Sequence, residues 1–146
     1  MKSTYVLWRG NSAHNGQPIR LVASNIVTAS QNPKTGPMVQ LWILPDSSES
    51  LSAIVKRGDD ESICGNCHLR PFIAKQNKRK VACYVRVYQA PNSVHRSTHD
   101  KPTEWSTGWK AIAQSRRRVR VGAHGGIDAL PEEKAIEVMQ KITALK

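Results

Sequence analysis

The sequence predicts an α+β fold: an antiparallel or mixed sheet, two to four helices and a metal-binding C-x2-C loop. Three observations carry this. β-prone runs fill the first third, a period-3.6 apolar stripe closes the chain, and Cys64-Gly65-Asn66-Cys67 interrupts the middle with chelate spacing. At 146 residues and 39% hydrophobic content, the chain fits one domain, residues 1–146, large enough to bury a core.

Thr4 to Trp8 reads as a strand closed by a polar turn, Asn11 to Pro18, that carries Asn15-Gly16. Ile19 to Val27 alternates loosely and reads as a second strand. Asn32-Pro33-Lys34-Thr35-Gly36-Pro37 is dense turn chemistry, because proline presets φ and glycine accepts positive φ. Met38 to Leu44 is nearly continuously apolar, as a strand buried on both faces requires. Leu51, Ile54 and Val55 then sit at helical spacing, with serines ahead as N-caps and Gly58 behind as a stop.

Val81 to Tyr88 reads as the cleanest strand, with Val81, Cys83, Val85 and Val87 facing one way and Ala82, Tyr84, Arg86 and Tyr88 the other. Trp105 and Trp109, spaced i, i+4 before Ile112, suggest a short helix with core tryptophans, limited by Pro102 and Gly108. Val119 to Ala123 reads as a last strand. Pro131 opens a C-terminal helix whose stripe is Ala135, Ile136, Met139 and Ile142.

Twenty-two Lys plus Arg against eleven Asp plus Glu give a formal net charge of +11. A field of that size gathers polyanions, nucleic acid foremost; an acidic host protein is the alternative partner. No apolar run approaches the roughly 18 residues of a membrane helix, and the N-terminus lacks a signal-peptide stretch. The expected compartment is therefore a reducing cytoplasm, where C-x2-C spacing points to metal or redox work before a structural disulfide.

The chain has three cysteines, Cys64, Cys67 and Cys83, and a tetrahedral zinc site needs four ligands. His68 is the nearest candidate in sequence. His95 and His99 are spaced as a helix would present two imidazoles. A carboxylate, water or a second chain could also supply the fourth position. An iron–sulfur cluster is the weaker alternative, since ferredoxin spacings are absent. The plain alternative for Cys83 is a small free core residue among valines.

Two basic groups are candidates for phosphate: Lys78, Arg79 and Lys80 leading to Arg86, and Arg116, Arg117, Arg118 and Arg120. On a strand, Arg116, Arg118 and Arg120 would share a side. Arg86 lies among Tyr84 and Tyr88, the charge-and-ring pattern of single-stranded nucleic-acid surfaces. The bland reading of both groups is a solvated strand edge. Gly122-Ala123-His124-Gly125-Gly126 has the backbone freedom of an anion loop but lacks P-loop and dinucleotide spacings.

Lys34-Thr35-Gly36-Pro37-Met38-Val39-Gln40-Leu41-Trp42-Ile43-Leu44, the run from Gly58 through Cys64 and Cys67 to Arg70, Cys83-Tyr84-Val85, and Arg120-Val121-Gly122-Ala123 together resemble an uncharacterised family of bacteriophages and other mobile elements. The resemblance covers most of the chain. It departs where the family carries Gly-Ala-Tyr-Gly-Asp-Pro and this chain has Gly122-Ala123-His124-Gly125-Gly126-Ile127-Asp128. It implies a phage setting and treats Cys64, Cys67 and Cys83 as a set, without supplying a reaction. The expectation is thus a metal-stabilised, basic nucleic-acid-binding protein. The alternatives are a metal-dependent enzyme on nucleic acid or nucleotides, using His124 or His68, and a phage inhibitor of a host protein.

Overall fold

The three N-terminal strands form a meander because each turn is built from residues that close it. The computed structural model describes residues 1–145. Strand β1 (Tyr5–Asn11) pairs antiparallel with β2 (Pro18–Ser24), and β2 pairs antiparallel with β3 (Val39–Pro45). The Asn11 to Pro18 turn is closed by Ser12 N–H donating to Gln17 O at 2.8 Å and Gly16 N–H to Ser12 O at 2.9 Å. A fourth strand, β4 (Val119–Val121), joins β3 in parallel, so the sheet is mixed, in order β1-β2-β3-β4.

Among the described residues six α-helices, more than the two to four expected, lie off the sheet: α1 (Leu51–Arg57), α2 (Glu61–Cys64), α3 (Pro71–Gln76), α4 (Ala90–Thr98), α5 (Trp105–Ser115) and α6 (Glu132–Thr143). Those not read from the sequence, α2, α3 and α4, are 4, 6 and 9 residues long, too short for a helical period to stand out along the chain. Helix α1 is as read: Ser50 Oγ accepts from Ala53 N–H at 3.2 Å, and Gly58 takes the left-handed cap at φ 89°. Gly108, expected to limit α5, lies inside it. There a Cβ would come within 2.3 Å of Leu7, so glycine is what lets this helix approach β1.

Strand alternation puts two packing layers on the sheet. One face, led by Leu7, Ile19, Leu21, Leu41 and Ile43, packs against Trp109 and Ile112 of α5, Ile63 of α2 and Val138 of α6. Trp105 stacks edge-on against Trp109, with centroids 5.7 Å apart. The opposite face, Val6, Val22, Trp42 and Leu44, packs under Leu51 and Val55 of α1. Burying each such aliphatic side chain contributes about 1.5–3 kcal/mol. On α6 the expected stripe is rotated: Val138 is buried, whereas Ile136 and Met139 stay about half exposed.

The second face also carries buried charge. Arg9 and Arg20 stand directly opposite across β1 and β2, and Asp46 bridges them at 3.3 and 3.9 Å. Arg20 is fully buried and donates to His95 O at 2.8 Å. Arg9 donates to the carbonyls of Thr98, His99 and Lys101, closing the C-terminal end of α4 against the sheet. Among the described residues, no helix is long and apolar enough to cross a membrane.

Val81 to Tyr88 is not a strand. Residues Lys80 to Val85 make no hydrogen bond among the described residues, because no neighbouring strand edge lies alongside them. The alternation nevertheless survives. Cys83, Val85 and Val87 are half-buried, while Ala82, Tyr84, Arg86 and Tyr88 are exposed. Only Val81 breaks the pattern, at 56% exposed. Apolar contact of alternate side chains therefore holds this segment to the body in place of a backbone ladder.

Candidate metal centre and basic surface

The C-x2-C loop is built at the end of α2. Cys64 N–H donates to Asp60 O at 2.9 Å, Gly65 N–H to Glu61 O at 2.8 Å, and Cys67 N–H to Cys64 O at 3.2 Å. A buried latch holds both ends of this turn. Arg70, 6% exposed, donates twice to Asp60 Oδ1, at 3.0 and 2.9 Å, and also to the carbonyls of Gly65 and Gly58. Burial raises the Asp60 carboxyl above the usual carboxylate range despite the guanidinium against it.

The three cysteines are free thiols: Cys67 exposed, Cys64 and Cys83 half-exposed. Burial pushes the Cys64 thiol up to about 12, with the charges of Asp60, Cys83 and Cys67 adding to it. Cys67 and Cys83, from two segments, thus both lie within electrostatic reach of Cys64. A thiol raised in this way is protonated and a poor nucleophile at neutral pH, so Cys64 in its metal-free form is not an activated thiol. Among the described residues, no group of three or more His, Cys, Asp or Glu side chains is arranged to hold a metal ion.

The histidines fall differently from the sequence expectation. His68 is exposed, and its carbonyl accepts from Arg79 at 3.3 Å. His95 is buried and donates from Nε2 to the carbonyl of Pro45 at 2.9 Å, so it is committed to the fold, and His99 sits beside Asp100 at 3.7 Å. The imidazole that does lie on the cysteine loop is His14, from the β1–β2 turn. A Cβ on Gly65 would come within 2.8 Å of its Cε1. His14 Nε2 is 3.7 Å from Asp128. Sequence reasoning missed it because nearly fifty residues separate it from Cys64; only the folding of the turn onto α2 brings them together.

The glycine loop is not an anion cradle. It runs on beside β3, with Ala123 N–H donating to Leu41 O at 2.9 Å, Ile43 N–H to His124 O at 2.9 Å and Gly126 N–H to Ile63 O at 2.9 Å. A Cβ at Gly125 would stand 2.3 Å from Ile43 O, so glycine is required there for close strand approach. His124 is 4% exposed, and burial lowers it to about 4. It is a neutral packed imidazole, so of the two histidines considered as a base, His124 is withdrawn from solvent and His68 is the exposed one.

The two basic groups differ in availability. Arg116 is the left-handed cap of α5 at φ 54°, outside β4, so the expected three-arginine stripe does not form. Arg117 donates to the carbonyls of Asn25 and Val27, both at 2.9 Å, and Arg120 to Gln40 Oε1 at 3.1 Å. Arg118 is exposed. The side chains of Lys78, Lys80 and Arg86 are exposed and make no hydrogen bond among the described residues, and that of Arg79 is exposed and donates only to the His68 carbonyl. None of these lysines and arginines is ion-paired with a carboxylate among the described residues. Four of the eleven acidic residues, Asp46, Glu49, Asp59 and Glu61, line one cleft with Arg57.

Compared with known proteins, the chain matches no family model, no curated protein and no solved structure.

Proposed function

We propose that the protein is a metal-stabilised, nucleic-acid-binding protein of phage or mobile-element origin. The observation that carries this reading is the 78–88 segment: cations free of carboxylate partners, with Tyr84 and Tyr88 exposed at 73% and 69% among them. Charge meets phosphate and rings meet bases.

The metal part of the reading rests on the neighbourhood of Cys64, Cys67 and Cys83, with His14 or His68 as fourth ligand. Zinc supplies a cross-link there, tying a segment that has no backbone ladder to the C-x2-C loop. Two measurements test the whole. Elemental analysis of protein purified without added metal should find one equivalent of zinc, lost in Cys64→Ser and Cys83→Ser. Oligonucleotide affinity should fall steeply with salt. If Lys78, Arg79, Lys80 and Arg86 each meet one phosphate, the log–log slope is about −3 for a single strand. Metal-free protein would refute the first part; salt-insensitive or absent binding to DNA and RNA alike would refute the second.

A further inference from the structure

Beside the basic segment lies a groove of about 490 Å³ between α1, α3 and the 81–88 segment. Its floor is apolar: Val55, Phe72, Val81 and Val87. Phe72 is the single phenylalanine of the chain, and its ring is braced against the Gly58 backbone, where a Cβ would come within 2.7 Å of it. Lys56, Lys75 and Arg79 surround this floor, Tyr88 stands at its edge, and no carboxylate lines it. An apolar slot ringed by cations fits a flat, weakly polar body attached to a negative charge.

We infer that this groove receives an unstacked base of a single-stranded nucleic acid, whose flanking phosphates meet Lys75, Arg79 and Lys56. The inference rests on the nucleic-acid reading above and adds the strandedness of the ligand. Bases in a duplex are paired and stacked and cannot enter such a slot, whereas single strands offer free faces to aromatic side chains. The cations and rings of Lys78, Lys80, Tyr84 and Arg86 continue from the groove along the exposed side of the same segment. The charge around the slot and its track of rings together select a strand over a neutral ligand.

Fluorescence anisotropy with a labelled oligothymidylate and a hairpin duplex of equal phosphate count tests this. The single strand should bind more tightly, and Phe72→Ala should weaken it by about 5- to 150-fold, the range of one lost base stack, while changing duplex binding little. Because Phe72 also supports Gly58, Val81→Glu is the second variant. Val81 is 56% exposed and in neither core cluster, so its thermal melting should match wild type while single-strand binding falls at least tenfold. Ile136→Glu, the same charge change on the exposed side of α6, should leave binding within twofold.

Equal binding of both forms, with Val81→Glu no different from Ile136→Glu, would overturn the groove assignment and leave the nucleic-acid reading standing. No salt-dependent binding of either form would overturn both. Tight binding of lauric acid, abolished by Val81→Glu with oligonucleotide binding unaffected, would assign the groove to an anionic amphiphile and overturn the inference.

Discussion

Replacing Arg70 by methionine should cost about 4 kcal/mol at pH 7, and the cost should shrink as the pH falls. The guanidinium makes four hydrogen bonds, two of them to Asp60, whose side chain is 2% exposed. Methionine matches its bulk but leaves the carboxyl buried beside an apolar chain. That carboxyl then protonates on folding instead of remaining an orphan charge. With an unfolded pKa near 3.9, taking up a proton at pH 7 costs about 4 kcal/mol, because each pH unit is worth about 1.4 kcal/mol. Raising the folded pKa means that the folded state holds the extra proton, so the variant regains stability on acidification. At pH 5 the cost from this source is about 1.5 kcal/mol. Urea unfolding of wild type and variant at both pH values, followed by far-ultraviolet circular dichroism, measures it. A difference between the two proteins that is the same at pH 7 and pH 5 would refute the buried carboxylate as its origin. A total below about 1 kcal/mol at pH 7 would refute the latch itself, since breaking a buried pair by removing one partner costs about 3–5 kcal/mol.

Burial lowers both His95 and His124 to about 4. Their contribution is therefore complete above the unfolded value near 6.5 and is lost as pH falls towards 4, by up to about 1.4 kcal/mol per unit for each. Melting temperatures between pH 7 and 4.5 should show this slope, and His124→Gln should roughly halve it; an unchanged slope would contradict the burial of His124. Ser50→Ala removes the α1 cap and should lower stability by about 1 kcal/mol in chemical denaturation, with helix content nearly unchanged. Arg117→Gln should lower stability by about 1–2 kcal/mol through loss of its two carbonyl contacts, yet leave the salt slope of oligonucleotide binding as in wild type; a slope reduced by about 0.7 would return Arg117 to the phosphate contacts.

The features that the chain announces locally are those where one short stretch contains its own reason. Ser50, Leu51, Ile54, Val55 and Gly58 hold the cap, stripe and stop of α1 within nine residues, and the helix forms there. The strand over Met38 to Leu44 was legible because a run apolar on both sides has few other homes, and β3 is buried throughout. The segment at Val81 to Tyr88 shows the limit. Its alternation correctly turned Cys83, Val85 and Val87 inward, though not Val81, but alternation reports faces and does not report whether another strand lies alongside. Helix α6 shows a milder version, in which several apolar residues satisfied a helical period and packing chose Val138 over Ile136 and Met139.

The sequence by itself determined the α+β class, the strongly basic balance and the presence of three thiols, since each follows from composition or spacing along the chain. Only the tertiary structure decided what stands next to what. It laid the β1–β2 turn so that His14 covers Gly65, set Arg70 across both ends of the cysteine loop, and engaged Arg117 while leaving Lys78 to Lys80 free of ion pairs. The physical reason is common to all of these. A ligand set, a buried ion pair or an open cation is a relation between residues far apart in the chain, and that relation exists only once a sheet face and its covering helices have fixed the distances.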